Sequence, residues 1–222
     1  MQPGLPVTIT PTSPRTVTDS GRCLILFARA PVAGNVKTRL EPVLGRDGAL
    51  VLYRWLFKRQ VQLVNAYRQA SRWLALEGDP AHPDCQAFDG EVVGQQGEDI
   101  GARMHQVLAT ALQTHTAAVL IGADCPFLDT GYIERAFAVL EGGMDAVFGP
   151  ASDGGYVLVG LRRAQPALFT GIGWSTAGVM AQTRLRLETL GWSWQELPVV
   201  HDIDGPDDLS LLQHDAQGHW RL

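Results

Sequence analysis

Apolar positions along this chain follow two rhythms, and the rhythms alternate. Cys23-Leu24-Ile25-Leu26-Phe27-Ala28 is an unbroken apolar run whose length suits a strand covered on both faces. Next, Leu50, Tyr53, Phe57, Val61 and Val64 recur every three or four residues, the period of one helix face. Residues 72–76 and 91–93 read as strands. Ile100, Met104, Val107, Ala111 and Leu112 form a helical stripe that Asp99 can cap. Residues 117–121 read as another strand. Ile133, Phe137 and Leu140 mark a helix that stops at Gly142-Gly143. Two strands, 145–148 and 156–161, follow with no helix between them. Ser175 is placed to cap a helix carrying Val179, Thr183, Leu187 and Leu190. Residues 194–200 predict a last strand and 207–212 a short helix.

Strands alternating with helices predict a mostly parallel, Rossmann-like sheet with helices on both faces, a three-layer α/β/α sandwich. The strand pair around 145–161 breaks that rhythm and predicts one antiparallel excursion. Ligands of such sheets bind beyond the C-terminal ends of the strands. The loops after Ala28, Ile121 and Val200 therefore carry the most information. Residues 1–21 hold Pro3, Pro6, Pro11 and Pro14 among Thr, Ser and Gly, lack any period, and predict a flexible tail. No later linker divides the chain, so residues 22–222 are expected to form a single domain.

Composition narrows the function. Apolar residues make up 45% and charged residues 18%, a globular balance. The net charge of -5 argues against a polymeric nucleic-acid partner, which needs a basic surface. It leaves a single nucleotide open, because a few local cations suffice for one phosphate group. Cys23, Cys85 and Cys125 are widely spaced and odd in number, so neither a disulfide framework nor a zinc site is expected. Nothing near Cys125 would lower its pKa, and a small buried side chain is the expectation. No apolar run reaches the ~18 residues of a membrane helix, and no secretory h-region precedes the first strand. The expectation is a cytoplasmic protein without a membrane partner; the oligomeric state stays open.

Four loops carry candidate chemistry. The first, residues 28–40, opens with Ala28 and Arg29 and adds Gly34, Lys37 and Arg39. Cations together with exposed backbone N–H groups suit a polyphosphate, and glycine allows close backbone approach. A solvated loop with ordinary charges has the same composition. The P-loop spacing is absent. In the second, Gly122-Ala123-Asp124-Cys125, a carboxylate just past a buried strand faces the crevice and can hold a divalent cation while phosphates supply further oxygens. Asp124 could instead cap the next helix, but Asp129 or Thr130 is better placed. The third, Asp153-Gly154-Gly155-Tyr156, taken alone is an ordinary hairpin turn. The fourth runs from Val200 to Leu209. Its alternating Asp202 and Asp204 leave a strand end on one side. Asp207 and Asp208 after Pro206 fit the start of a helix. His201 reads as a structural histidine. Trp174, Trp192 and Trp194 read as core or near-core side chains, with an aromatic wall for an acceptor as the alternative.

Five segments, FARAPVAGNVKTRL, GEDIGARM, IGADCPFL, GPASDGGYVLVGL and DIDGPDDL, occur in this order between about Cys23 and Leu212. Together they resemble the radical-SAM/selenodomain-associated transferase family. That family is a bacterial branch of the GT-A, or nucleotide-diphospho-sugar transferase, superfamily. The resemblance implies a GT-A-like fold and places roles by position. Gly34, Lys37 and Arg39 would grip a triphosphate, with Ala28 and Arg29 beside them. This loop holds less glycine than that of most nucleotidyltransferases and looks closer to phospholactate guanylyltransferases; the molybdenum-cofactor guanylyltransferases are also similar. Asp124 would hold Mg²⁺ or Mn²⁺, with Asp204 or Asp202 completing the site. Asp153, Gly154, Gly155 and Tyr156 would receive the second substrate.

The expected activity is nucleotidyl transfer from an NTP to a small phosphorylated or hydroxyl acceptor, with release of pyrophosphate. Glycosyl transfer from an NDP-sugar is the alternative within the superfamily. Many such enzymes carry D-x-D in mid-chain, whereas this chain has Ala123-Asp124-Cys125 with a single acid. A non-catalytic nucleotide-binding module is the alternative outside it. The expected partners are a nucleotide or nucleotide-sugar and a small-molecule acceptor.

Overall fold

The structure, a computed structural model, describes residues 21–214 and 220–222. The segment read as a tail lies outside them, apart from Gly21. Seven strands form one sheet: β1 (Arg22–Arg29), β2 (Ser71–Glu77), β3 (Glu91–Gly94), β4 (Ala117–Gly122), β5 (Ala146–Pro150), β6 (Tyr156–Leu161) and β7 (Trp194–Glu196). The helices are α1 (Glu41–Ala66), α2 (Ile100–Ala111), α3 (Thr130–Glu141) and α4 (Val179–Leu190). Gly45, at φ 71°, kinks α1 near its start.

The unbroken apolar run of β1 is explained by burial on both sides, since Cys23, Leu24, Ile25 and Leu26 expose no surface. Alternate residues enter opposite layers. Leu24 and Leu26 join Tyr53 and Phe57 of α1 and Ile133 and Phe137 of α3. Cys23 and Ile25 join Met104 and Val107 of α2 and Met180 and Leu187 of α4. The result is the expected α/β/α sandwich. A smaller cluster seats Ile203 and Leu212 against Leu40, Ala49, Leu52 and Leu56, which fixes the C-terminal segment on α1.

The strand order is β3-β2-β1-β4-β6-β5-β7. β6 runs antiparallel to β4 and β5, and the other pairings are parallel. This is the excursion that the sequence predicts, and it has a functional consequence. Because β6 is reversed, its first residues lie at the same edge as the last residues of β4, with Ile121 paired to Leu158. The turn before β6 therefore meets the loops that leave β1, β3, β4 and β7. The chain moves one way from β1 to β2 and the other way to β4, and a crevice opens at such a switch point.

The local signals hold in most places. Asp99 caps α2 by accepting from Ala102 N at 2.7 Å, and Asp129 caps α3 by accepting from Tyr132 N at 2.6 Å. Three expectations need correction. Ser175 does not cap α4: it has a left-handed backbone at φ 62°, and the helix starts after Gly178. Starting there lets Val179 and Met180 bury and lets Met180 N donate to Gly154 O at 2.9 Å. The last strand is shorter than 194–200, because Pro198 has no N–H to continue the ladder. Pairing resumes as one bridge between Val200 and Ala151. In place of the α-helix expected over 207–212 there is a 3₁₀ turn, Pro206–Leu211, and Leu212 is already extended. Among the described residues no helix is long and apolar enough to cross a membrane.

Candidate functional site

The β1 loop is anchored before it presents any charge. Tyr53 of α1 accepts from Arg29 N at 3.0 Å and donates to Arg29 O at 2.9 Å, which pins the strand end. Val36 and Leu40 are buried on either side of Lys37. Held between these anchors, Lys37 takes a left-handed backbone, φ 50°. Such a conformation in a non-glycine residue is strained and persists where its surroundings over-determine it. The Lys37 side chain is only 3% exposed, and its Nζ lies 3.0 Å from Asp124 Oδ2 and 3.4 Å from Asp204 Oδ1. Arg39 Nη1 pairs with the other oxygen of Asp204.

The two carboxylates come from different strand ends, each aimed by buried neighbours. Ala123 and Cys125 are buried, so Asp124 between them projects into the crevice. Ile203 is fully buried, so Asp202 and Asp204 flank it toward the same crevice. Two bonds lock the segments together: Ile203 N donates to Asp124 O at 3.0 Å, and Cys125 Sγ donates to His201 O at 3.1 Å. Burial, chiefly, pushes the Cys125 thiol up to about 12, which leaves it a poor nucleophile at neutral pH. Asp208 accepts from Asp204 N and Gly205 N, so it braces the acid loop. Asp202 is pushed up to about 6, first by burial and then by the negative charges of Asp153 and Asp124, while Lys37 pulls the other way.

These groups line a cleft of about 610 Å³. Four basic and seven acidic side chains face it, and the basic ones lie on the β1 loop and on α2. The far wall carries Asp153, Gly155, Tyr156, Trp174, Thr176 and Asp202, without a cation. Ala28 and Arg29 line the near wall. Gly34 and Gly154 stand outside the lining. Gly34, at φ 83°, backs onto the Arg46 guanidinium. Gly154, at φ 91°, lies so close to Ala177 O that a Cβ would sit 2.1 Å from it. Both glycines thus give their loops a backbone conformation and a close packing that a side chain would oppose.

The sequence reading gave no site role to Gln95, Glu77 or Arg103, which meet around the loop after β3. Gln95 donates from Nε2 to Ala28 O and Ala75 O, both at 2.9 Å, and stitches the ends of β1 and β2. Glu77 joins Arg29 at 2.7 Å and Arg103 at 2.8 Å. Burial opposes its charge, but the two guanidiniums outweigh that and hold its carboxyl below the usual range. The available signal was topological: a strand parallel to β2 must open its C-terminal loop on the same rim. Trp174, read as core or near-core with an aromatic wall as the alternative, lines the cleft edge-on to Tyr156 at 6.4 Å. Tyr156 is partly exposed, yet its hydroxyl, like Trp174 Nε1, is enclosed with no hydrogen-bond partner among the described residues.

The donor set fits a divalent cation of the hard, oxygen-seeking kind. Asp124 Oδ1 is enclosed and has no hydrogen-bond partner among the described residues, and its other oxygen already faces the Lys37 ammonium. Among the described residues no three His, Cys, Asp or Glu side chains form a ready ligand group. An ion held by one or two carboxylates would take its further ligands from phosphate oxygens and water.

Residues 60–176 match a family described as an uncharacterized protein conserved in bacteria, DUF2064. This chain belongs to DUF2064. A Desulfovibrio desulfuricans G20 protein, assigned as a candidate nucleotide-diphospho-sugar transferase, is 33% identical, with 83% of each chain covered and a TM-score of 0.76. CMP:2-keto-3-deoxy-manno-octonic acid synthetase complexed with CTP is 12% identical over 86% of this chain and 95% of its own, with a TM-score of 0.54. Mycobacterium tuberculosis glucosyl-3-phosphoglycerate synthase, in complex with Mn²⁺, UDP and glucosyl-3-phosphoglycerate, is 11% identical over 85% of this chain and 74% of its own, with a TM-score of 0.52. At such identities the likeness is one of fold. The DUF2064 chain thus has the GT-A-like architecture of nucleotidyl- and glycosyltransferases. No curated protein matches it.

Proposed function

We propose that residues 22–222 of this DUF2064 chain form a single-domain, divalent-cation-dependent transferase that uses a nucleoside polyphosphate donor. The favoured reaction is nucleotidyl transfer from an NTP to a small phosphorylated or hydroxyl acceptor. The observation that carries this reading is the convergence of Lys37 on Asp124 and Asp204, with Arg39 on Asp204, at the rim of an open cleft. Asp124 and Asp204 would hold Mg²⁺ or Mn²⁺, with Asp202 beside them. Bound there, the ion supplies charge neutralisation across phosphate oxygens. Lys37 and Arg39 face the negative charge that grows on the departing pyrophosphate as the acceptor oxygen bonds to the α-phosphorus and the bond toward the β-phosphate breaks. Arg29, with Gln95 and Tyr53 fixing its strand, borders the donor side. Asp153, Gly155 and Tyr156 border the acceptor side. The residues' contribution is positioning and preorganised charge.

The presence of one acid in Ala123-Asp124-Cys125 favours the nucleotidyl over the glycosyl reaction. Incubation with NTPs or NDP-sugars, Mg²⁺ and an acceptor library separates the two: pyrophosphate release supports nucleotidyl transfer, and NDP release supports glycosyl transfer. Lys37→Ala or Asp124→Ala should slow whichever reaction is found by roughly 10²–10³-fold, as for other preorganised charge stabilisers. Full turnover by both variants would refute the assignment of this site.

A further inference from the structure

The Lys37 ammonium lies between the same two carboxylates that would hold a divalent ion. Its Nζ is 3.0 Å from Asp124 Oδ2 and 3.4 Å from Asp204 Oδ1, and the side chain is almost wholly enclosed. One ammonium thus engages an oxygen of each carboxylate, and a divalent ion beside it would be repelled at short range. The strained left-handed backbone of Lys37, braced by buried Val36 and Leu40, keeps the ammonium aimed there.

We propose that Lys37 and a divalent cation exclude each other from the space between Asp124 and Asp204, so that the site selects a cation–polyphosphate complex over the free cation. This rests on the reading of the site given above. A polyphosphate removes the conflict in two ways at once. Its oxygens offer the ammonium a new anionic partner, and they complete the coordination that two carboxylates leave open. Arg39 is 59% exposed and pairs with Asp204 from the solvent side, so it can turn toward phosphate without disturbing the core. The exchange swaps ion pairs; no covalent bond forms or breaks. Lys37 in this role is a specificity-determining residue for the form in which the metal enters.

The test is Mn²⁺ binding to the full chain without nucleotide, followed by the electron paramagnetic resonance signal of free Mn²⁺. Wild type is compared with Lys37→Asn, Lys37→Met and Asp124→Asn, each checked for an intact melting transition. Asparagine enters the left-handed region readily, so Lys37→Asn keeps the turn; Lys37→Met keeps the length of the side chain and removes its charge. Both Lys37 variants should bind free Mn²⁺ at least tenfold more tightly than wild type. With CTP, GTP or UDP present, the gap should shrink below about threefold or reverse, because Lys37 then assists the phosphates. Equal or weaker binding of free Mn²⁺ by both Lys37 variants, with Asp124→Asn abolishing it, would overturn the exclusion and leave the metal site standing. Absence of Mn²⁺ binding in every protein, with and without nucleotide, would overturn the metal reading itself.

Discussion

The enclosed Tyr156 hydroxyl meets no hydrogen-bond partner among the described residues, and its ring packs edge-on to Phe148 at 5.2 Å. Burial lifts the phenol well above its ordinary range, so it stays protonated and a donor. An unsatisfied buried polar group destabilises the fold by about 1–3 kcal/mol. Tyr156→Phe is therefore expected to stabilise the protein by about 1 kcal/mol, a rise in melting temperature of roughly 2–4 °C for a chain of this size. Calorimetry checks this, and a clear fall in melting temperature would mean that the hydroxyl is satisfied in solution. Tyr156 also shows where single-residue reading stops. Its Asp-Gly-Gly approach is an ordinary turn by local chemistry, and its place at the cleft follows from the reversal of β6. Asp124, by contrast, was legible as a candidate because it directly follows a buried strand, and Lys37 because it joins Arg29, Arg39 and Gly34 in the loop that follows another.

Helix caps were legible because their chemistry is local. Asp129 accepts from Tyr132 N one turn into α3, away from the cleft. Asp129→Ala should destabilise the protein by about 1 kcal/mol while leaving nucleotide binding unchanged; paired urea melts and nucleotide titrations test both halves. Ser175 was misread for an instructive reason. A serine cap contributes only about 1 kcal/mol. Burial of Val179 and Met180 and the bond from Met180 N to Gly154 O outweigh it, so the helix starts later. Gln95, after β3, and Arg103, on α2, were given no role because they act through contacts to Ala28, Ala75 and Glu77, residues distant in sequence.

Across the whole molecule, Arg22 ties the start of β1 to the far layer. It forms two bonds to Glu141, at 2.6 and 2.7 Å, reaches Glu134 at 3.0 Å and Tyr67 at 2.8 Å, and lies over the Phe137 ring. Its guanidinium is the leading cause that holds both Glu134 and Glu141 below the usual carboxylate range. The unfolded chain then binds more protons than the native one in mild acid. The stabilisation is fully present above the ordinary carboxylate pKa near ~4 and is lost as pH falls through the lowered native values. Both carboxylates are half exposed, so the contribution is screened to about 1 kcal/mol. Arg22→Met should lose roughly that amount at pH 7 and show a shallower decline below about pH 4 in pH-dependent urea melts; an unchanged acid limb would discount the network. The sequence by itself determined the alternation of strands and helices, two helix caps, the antiparallel excursion and the acids and cations at strand ends. All of these follow from the burial and backbone chemistry of neighbouring residues. Tertiary structure alone decided that one ammonium joins Asp124 to Asp204 and that Asp153 raises Asp202. It also decided that Trp174 lines the cleft, and that Gly34 packs against Arg46 and Gly154 against Ala177. These depend on strand order and on which segments the sheet brings to one rim, and no local pattern encodes that.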